Sequence, residues 1–154
     1  MRVFRICRKP FARYPLDGRG GLFASGRWHT PKRLVVYTSS SLALASLEAL
    51  VHCDIDLIPT DLVAIEIFIP DDLKTKVIPA ARFPRNWRNY PAPRGLQKLG
   101  DAWLDGVSTC VLRVPSAVIP SEINFILNPK HSDMPKIKVV RKFGFRFDPR
   151  VVTR

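Results

Sequence analysis

A single carboxylate, Glu48, lies within a strongly apolar stretch of the chain, residues 42–52 (LALASLEALVH). At about 100° per residue, the leucines and the valine of this stretch point in every direction around a helix axis. The pattern predicts a helix that is buried on all sides. A carboxylate on such a helix is costly unless it is paired or faces a cleft in which it has a chemical task. Glu48 is therefore a candidate catalytic residue, with an exposed position or an arginine partner as the structural alternative.

Four other side chains could act together with this carboxylate. They lie in a turn, in two strands and at the end of a strand: Arg27, Arg5, Tyr37 and Ser116. Arginine forks onto phosphate groups, an aromatic ring packs a planar base, and a carboxylate stabilises an oxocarbenium-like sugar. The set suits an anionic substrate whose reaction passes through a cationic centre. A nucleotide with a labile glycosidic bond, such as NAD, fits this description as one option among several.

The sequence lacks the patterns that are typical of other catalytic chemistries. A serine hydrolase would need a G-x-S-x-G elbow, and none occurs. The histidines and cysteines show no CxxC pair and no metal-binding spacing, so we expect free thiols and no metal: His29, His52, His131, Cys7, Cys53 and Cys110. The odd number of cysteines favours a reducing compartment, and we see neither a signal peptide nor an apolar run of roughly 18 residues that could span a membrane. We therefore expect a cytoplasmic protein.

The chain carries a formal net charge of +12 at pH 7, which favours an anionic partner such as nucleic acid, a phosphorylated small molecule or an acidic protein. The charge is uneven, because residues 1–33 and 82–154 carry +8 and +9 whereas residues 34–81 carry −5. In residues 82–94 (RFPRNWRNYPAPR), arginines alternate with aromatic rings, a mixture that can stack on and neutralise nucleotides. The prolines favour the alternative, a loop that its aromatic residues anchor over the core.

The remaining pattern predicts a single α+β domain over residues 1–154, built on an antiparallel or mixed sheet. The predicted strands are residues 3–8, 34–38, 62–69, 75–78, 109–114, 124–127, 136–141 and 143–147, the last two as a candidate hairpin about Gly144. The helix that carries Glu48 has Ser39 or Ser40 as its expected N-cap. A second helix spans residues 95–104, with Gly106 as its expected C-cap, and residues 13–25 form a loop.

Five segments together resemble the arginine–glutamate–serine (RES) domain of bacterial toxin–antitoxin systems: GRWHTP, LVVYTSSSLALASLEALVH, GDAWL, VLRVPSAVIPSEINFILNP and FRFDPR. They cover nearly the whole chain, in order and with family-like spacing. The resemblance places the namesake residues at Arg27, Glu48 and Ser116, the tyrosine of the strand at Tyr37 and the arginine of the first strand at Arg5. It implies a fold akin to ADP-ribosyltransferases, with a split antiparallel or mixed sheet and flanking helices.

The resemblance also implies a function. It identifies the chain as the toxin of a type II toxin–antitoxin system, an enzyme that depletes NAD by cleaving the nicotinamide–ribose bond with water or phosphate. NAD is then the substrate, and no cofactor is expected. The implied partner is an antitoxin with a helix-turn-helix region, and a homodimer within the complex is one arrangement that this allows. Two alternatives stay open: ADP-ribosylation of a cellular protein, and a basic module that binds nucleic acid or acts on RNA.

The roles that the resemblance implies can be assigned residue by residue. Glu48 would stabilise the positively charged ribose as nicotinamide leaves. Arg27 and Arg5 would hold the diphosphate, and Tyr37 would pack against the nicotinamide ring. Ser116 would hydrogen-bond ribose or nicotinamide and line the pocket. The structural alternatives are a plain core position for Tyr37, a turn cap for Ser116 and a solvated strand position for Arg5.

Two positions depart from the usual pattern of the family. His29 follows GRW where asparagine is common, and Lys32 stands where the turn often has glycine. Both lie at the rim of the expected site. They bear on substrate preference more than on the class of reaction.

Overall fold

The computed structural model describes residues 1–54 and 57–152, which form one seven-stranded sheet with helices packed against it. In chain order, the elements are β1 (Arg2–Arg8), α1 (Gly20–Phe23), β2 (Val36–Ser39), α2 (Leu42–Leu50), β3 (Leu62–Phe68), β4 (Thr75–Val77), α3 (Arg94–Gly106), β5 (Val111–Pro115), β6 (Ile123–Leu127), β7 (Lys138–Gly144) and α4 (Pro149–Val152). The strand order across the sheet is β4-β5-β6-β2-β1-β3-β7.

Neighbouring strands of the sheet are antiparallel, except for β4 and β5, which run parallel. β1 pairs with β3 along its whole length, but its other edge meets β2 only at Phe4 and Ser39. The sheet is therefore nearly divided at this junction, with β1, β3 and β7 on one side of it. The predicted α+β class and the mixed sheet are confirmed, and the narrow junction corresponds to the expected split.

Side chains along each strand alternate between two faces of the sheet, and each face carries its own apolar core. We call one of them the helix face, because α3 packs there; its buried apolar residues are Trp28, Val35, Ile78, Leu96, Trp103, Leu104, Leu112, Val114 and Ile126. The core of the opposite face consists of Val3, Ala12, Val36, Ile65, Ile67, Ile69, Leu73, Cys110, Val111, Phe125, Leu127 and Ile137. The helix α2 also lies on the helix face, because Glu48 reaches Asn124, whose side chain points to the same side as that of Ile126.

The helix that carries Glu48 begins later than predicted. Ser41, rather than Ser39 or Ser40, is the N-cap, since its hydroxyl accepts the N–H of Leu44 at 3.1 Å. Ser39 is the last residue of β2 and pairs with β6, so it is not free to cap a helix. The three consecutive serines are each acceptable caps in sequence, and the end of the strand decides between them.

The burial of this helix also differs from the prediction. Leu44 and Ala45 are buried, whereas Leu47 and Val51 are 36% and 57% exposed. The expectation of a helix buried on all sides was wrong, because the sheet covers only one side of α2. The apolar residues on its outer side face solvent.

The helix α3 ends at Gly106, and the residue in the left-handed conformation is Val107, with a φ of 46°. The predicted C-cap at Gly106 was therefore wrong by one residue. Beyond this point, the indole Nε1 of Trp103 donates to Oγ1 of Thr109 at 2.9 Å. That bond ties the last turn of the helix to the segment that enters β5.

The predicted hairpin about Gly144 does not form. Lys138–Gly144 is one continuous strand, and Gly144 pairs with Val63, the second residue of β3. The N–H of Phe145 then donates to the carbonyl of Leu62, so the chain runs on along β3 instead of turning back. Because the backbone of β3 is long enough to pair with the end of the first predicted strand and the start of the second, the chain continues without a turn.

The predicted loop at residues 13–25 contains the single helical turn α1. Gly18, at the start of this region, has a φ of 69°, and a Cβ there would lie 2.6 Å from the backbone nitrogen of Val35. The N–H of Val35 donates to the carbonyl of Gly18, so only glycine permits this close approach. The loop therefore supports the segment that leads into β2.

Within the described residues, no group of three or more histidine, cysteine or acidic side chains could hold a metal ion. The three cysteines are free, and Cys110 is buried whereas Cys7 and Cys53 are half-buried. Burial raises the pKa of the Cys110 thiol to about 11, so this thiol stays protonated and unreactive at neutral pH. None of the described helices is both long and apolar enough to cross a membrane.

Candidate functional site

Glu48 is held by two hydrogen-bond donors from different parts of the sheet. The hydroxyl of Ser116, just after β5, and the amide Nδ2 of Asn124, in β6, both donate to its Oε1, at 2.7 and 2.6 Å. Ser39, in β2, donates in turn to Oδ1 of Asn124 at 2.7 Å. Oε2 of Glu48 takes part in none of the hydrogen bonds found within the described part of the chain. One carboxylate oxygen is thus fixed by two donors, whereas the other has none among the described residues.

Ser116 is completely buried, and its hydroxyl makes three hydrogen bonds. It accepts the N–H groups of Val118 and Ile119, both at 3.0 Å, and donates its one proton to Glu48. A hydroxyl has one donor and two acceptor positions, so its capacity is fully used. Ser116 thus caps its turn and supports Glu48 at once. The predicted bond to ribose or nicotinamide would have to replace one of these bonds.

Arg27 lies near enough to Glu48 to interact with it electrostatically and is bound to main-chain carbonyls. Its Nη1 donates to the carbonyls of Trp87 and Asn89, at 2.5 and 3.1 Å. Burial lowers the pKa of Arg27, and the nearby charge of Glu48 opposes that shift. The two side chains therefore interact electrostatically, yet the ion pairs of the described residues do not include a direct contact between them.

The turn that carries Arg27 is held by polar side chains of α3. Both the N–H and the hydroxyl of Thr30 donate to the carboxylate of Asp101, at 2.9 and 2.8 Å. One turn earlier on the same helix, Nε2 of Gln97 donates to the carbonyl of Gly26 at 3.1 Å. These bonds fix both sides of Arg27 against α3.

A glycine in α3 allows the same turn to approach the helix backbone. A Cβ at Gly100 would lie 1.8 Å from the carbonyl oxygen of Trp28, a distance that no side chain could tolerate. Gly100, Asp101 and Trp103 all belong to the GDAWL segment that the sequence singled out. In the structure, Gly100 and Asp101 of that segment contact the turn of Arg27 and position it.

Tyr37 and His29 form a hydrogen-bonded pair beneath this turn. Nε2 of His29 lies 3.0 Å from the carbonyl of Ala24, which can only accept, so Nε2 carries the proton of the neutral ring. Nδ1 then accepts the Tyr37 hydroxyl proton at 2.8 Å, and the Tyr37 oxygen accepts the Trp28 N–H at 3.1 Å. Burial lowers the pKa of His29 and raises that of Tyr37, so both are neutral at pH 7.

Arg5 is not brought together with the other candidate residues. The strand alternation places it with Val3 and Cys7 on the opposite face of the sheet from Tyr37. Its Nε is buried and has no hydrogen-bond partner within the described part of the chain. The guanidinium lies beside the Cys7 thiol, whose pKa burial raises and Arg5 lowers. Its role in holding a diphosphate stays a prediction.

The loop at residues 82–94 is anchored by its aromatic residues, as the prolines indicated. The ring of Phe83 meets Trp28 edge-on, with ring centres 5.4 Å apart, and Trp87 packs on Phe83 at 5.6 Å. Only Tyr90, the third aromatic residue of the loop, is largely exposed, at 83%. The interpretation as an anchored loop is confirmed, and two of the three rings are occupied by core contacts.

The same loop is tied to both sides of the site. On one side its carbonyls bind Arg27. On the other, Nε of Arg88 donates to the carbonyl of Ala117, the residue after Ser116, at 3.2 Å. The loop therefore bridges the turn of Arg27 and the turn that supports Glu48.

The sequence pointed to Glu48, Arg27, Tyr37 and Ser116, and the structure brings all four to the helix face. The sequence did not reveal the groups that hold these four residues in place, chiefly Asn124, Ser39, Gly100 and Asp101. Asn124 could have been noticed as an amide inside the apolar run INFIL. No local signal marks Ser39, because its partner lies in a strand that is remote in sequence.

Comparison with known proteins gives this arrangement a family. The RES domain family matches residues 2–148. A protein called Toxin Res from Yersinia enterocolitica is 32% identical over 152 residues, 98% of this chain and 99% of the relative. A protein called Prs ADP-ribosylating toxin from a Sphingobium species is 33% identical over 141 residues, 90% of this chain and 88% of the relative.

A solved structure shares the fold. The crystal structure of the M. tuberculosis MbcT–MbcA toxin–antitoxin complex contains a chain that superposes with a TM-score of 0.69, over 94% of this chain and 83% of that one. The sequence identity is 16%, so the likeness concerns the fold alone. The family match over nearly the whole length, with relatives above 30% identity, shows that the chain belongs to the RES domain family.

Proposed function

We propose that this protein is the toxin of a toxin–antitoxin system and that it consumes NAD by cleaving the nicotinamide–ribose bond. The observation that carries the proposal is the half-buried carboxylate of Glu48, with one oxygen fixed by Ser116 and Asn124 and the other without a hydrogen bond among the described residues. Membership of the RES family and relatives named as toxins support the same function.

Glu48 suits the central step of this reaction. When the bond between the ribose C1′ and the nicotinamide nitrogen breaks, its electron pair stays with nicotinamide, and positive charge develops on the ribose. A fixed carboxylate stabilises that charge without having to reorganise during the step. An oxygen acceptor then bonds to C1′, and water as the acceptor loses a proton.

Arg27 suits the diphosphate of NAD. Its guanidinium now binds the carbonyls of Trp87 and Asn89, and phosphate oxygens would replace them with stronger, charge-assisted hydrogen bonds. The hydroxyl of Tyr37 is already bound to Trp28 and His29, so contact with nicotinamide would involve the face of the ring of this half-buried residue.

The acceptor of ADP-ribose distinguishes two versions of the proposal. Water or phosphate as acceptor gives an enzyme that depletes NAD, which is the version that we favour. Transfer to a protein side chain is the second candidate, and the name of the Sphingobium relative, an ADP-ribosylating toxin, supports it. Mass analysis of the products formed from NAD, with and without phosphate and with and without a cell extract, separates the two.

A nucleic-acid-binding function is the third class, and the loop at residues 82–94 was the reason to consider it. Stacking on bases needs exposed rings, yet Phe83 and Trp87 pack against the core and against each other. The net charge of +12 is the remaining argument. A nucleic-acid binder would lose affinity steeply with salt and would leave NAD intact.

We also propose that a cognate antitoxin, with a helix-turn-helix region and an acidic segment, blocks the site. The fold shared with a chain of a toxin–antitoxin complex and the excess of positive charge support this partner. Co-expression should relieve growth arrest and give a complex that co-purifies. A purified complex with undiminished NAD turnover would show that the antitoxin acts in another way.

The substitution Glu48→Gln tests the proposed function most directly. It keeps the shape of the side chain but deletes the charge, so turnover should fall on the order of a hundredfold or more while affinity for NAD changes little. A melting curve and an NAD-consumption assay are run on the same preparation. A folded Glu48→Gln variant that consumes NAD at the wild-type rate would falsify the catalytic assignment of Glu48.

A further inference from the structure

We propose that Asn124, oriented by Ser39, is a positioning residue for Glu48. The inference rests on the proposed function, in which Glu48 acts on the substrate and Asn124 does not touch it. Asn124 lacks the charge and the reactive groups that drew attention to Glu48, Arg27 and Ser116 in the sequence. Its assignment comes entirely from contacts across the sheet.

The orientation of the Asn124 amide is fixed from both ends. A carboxylate only accepts hydrogen bonds, so the group 2.6 Å from Oε1 of Glu48 must be the NH2. The carbonyl Oδ1 then faces Ser39, whose hydroxyl donates to it at 2.7 Å. A flipped amide would set Oδ1 against the carboxylate and would repel it. Ser39 itself is buried, at 4% exposure. We call the chain of hydrogen bonds from Ser39 through Asn124 to Glu48 the relay.

The relay is built on the interior of the sheet. Ser39 of β2 and Asn124 of β6 occupy directly opposite positions of an antiparallel pair, and Asn124 also pairs with Val114 of β5. Directly opposite side chains of a sheet are held close together by the backbone. Groups placed on strands keep their geometry better than groups on loops. The donor to Glu48 is therefore set by three paired strands.

Two donors on one oxygen constrain the carboxylate more than one donor does. With Ser116 alone, the Glu48 carboxylate could rotate about the bond that joins it to the rest of the side chain. The second donor, from a different direction, holds Oε1 in place and thereby aims Oε2. Because an oriented charge matters most in the transition state, loss of Asn124 should lower turnover and leave substrate binding nearly unchanged.

The test uses Asn124→Ala and Ser39→Ala with two matched controls. Asn128 is also a buried amide beside β6, bound to the carbonyl of Leu104, and Thr38 is a buried hydroxyl next to Ser39, bound to the carbonyl of Phe125. Neither bond leads to Glu48. Asn128→Ala and Thr38→Val therefore remove comparable buried bonds without touching the relay.

We expect kcat for NAD consumption to fall roughly tenfold in Asn124→Ala and less in Ser39→Ala, with KM within about twofold of wild type. The controls should lose thermal stability but keep the wild-type kcat in the folded fraction. Equal kcat losses in controls and relay variants would reduce the relay to a structural role and overturn the proposal.

A third variant, Asn124→Asp, gives a readout that a structural role would not produce. The introduced carboxyl, while protonated, can donate to Glu48 as the amide does, and once ionised it repels Glu48. The ratio of variant to wild-type kcat should therefore fall at least about tenfold between pH 5.5 and 8. Within the described part of the chain, Arg27 and Tyr37 are ionisable groups that interact electrostatically with Glu48, and both proteins retain them.

The outcomes separate this inference from the proposed function. If Glu48→Gln is inactive but Asn124→Ala, Ser39→Ala and Asn124→Asp all keep the wild-type kcat and pH profile, the relay is wrong and the proposed function stands. If the wild-type protein leaves NAD intact, the proposed function fails and the relay fails with it. Should Asn124→Ala not fold, the milder Ser39→Ala and the nearly isosteric Asn124→Asp decide the matter.

Discussion

Glu48 and Arg27 interact electrostatically, but they are held by different kinds of partner. The carboxylate of Glu48 is bound by side chains of Ser116 and Asn124, which are fixed by further bonds to the sheet and its adjacent turn. The guanidinium of Arg27 is bound by two main-chain carbonyls of a loop. In the proposed function, Glu48 would already have its working position, whereas Arg27 would exchange partners when an anion binds.

This difference divides the expected consequences of mutation. Changes to the network of Glu48 should appear in kcat, because in the proposed function the fixed charge would act in the transition state. Changes to the turn of Arg27 should appear in KM and in stability, because that turn depends on its docking to α3. The following predictions concern the second region and are ordered from the largest expected effect to the smallest.

Gly100→Ala should loosen the turn of Arg27 from α3. The new Cβ would meet the carbonyl of Trp28 at 1.8 Å, so helix and turn must separate, at a cost of about 3 kcal/mol or more in the free energy of unfolding. Gly95→Ala is the matched control in the same helix, since its Cβ would meet only Pro84 at 3.7 Å and alanine favours the helix by up to about 1 kcal/mol. Denaturant unfolding of both variants measures the difference, and equal stabilities would contradict the docking argument.

Arg27→Lys should weaken NAD binding while leaving the fold intact. Lysine keeps the charge but lacks the planar fork, so we expect KM to rise roughly tenfold with a smaller change in kcat. The melting temperature should stay near that of wild type, because the two carbonyls on the loop remain accessible to solvent or to the ammonium group. An unchanged KM in steady-state kinetics would show that Arg27 does not bind the diphosphate of NAD.

His29→Gln should reduce the loss of folding stability that the wild-type protein shows as the pH falls. Burial lowers the folded-state pKa of His29 below its ordinary 6.5, so the unfolded chain binds the proton more readily. The wild-type protein should therefore lose stability as the pH falls below about 6.5, since protonation would also turn the Nδ1 acceptor towards Tyr37 into a donor. Melting curves at pH 5 and 7.5 measure the effect, with the exposed His52→Gln as control, which should keep the wild-type slope.

Lys32→Gly should have the smallest effect. Lys32 has a φ of 74°, a conformation that glycine adopts without strain, although glycine also gains entropy in the unfolded chain. The net change should lie between zero and about 1 kcal/mol of added stability, with kcat unchanged. Lys32→Ala keeps the same strain and serves as the control. A Lys32→Gly variant less stable than Lys32→Ala would contradict the reading of this turn.

The departures from the family pattern illustrate what a sequence can and cannot convey. Lys32 stands where glycine is common, and the structure shows why, since the backbone there is left-handed. His29 stands where asparagine is common, and it proves to be the partner of the Tyr37 hydroxyl. The position of each could be flagged in sequence, but the contact could not.

The strands and the principal site residues were predictable because each leaves a local trace. Glu48 stands out as a charge among leucines, and β-branched runs mark most of the strands. Asn124 leaves only a weak trace, an amide within an apolar run, and Gly100 leaves none that reveals its role, because each contacts a residue in another element that is remote in sequence. The same reason explains the wrong hairpin at Gly144, where the long edge of β3 overrode the local turn signal.

The pairing of distant strands also has a consequence for synthesis. β1 pairs with β3, β2 with β6 and β3 with β7, so most of the sheet closes between segments that leave the ribosome far apart in time. Such topologies fold slowly compared with local hairpins. Glu48 in particular gains its second donor only after Asn124 has emerged and β6 has docked beside β2. A nascent chain that ends before β6 therefore carries the proposed catalytic carboxylate without the hydrogen bond from Asn124 that fixes it.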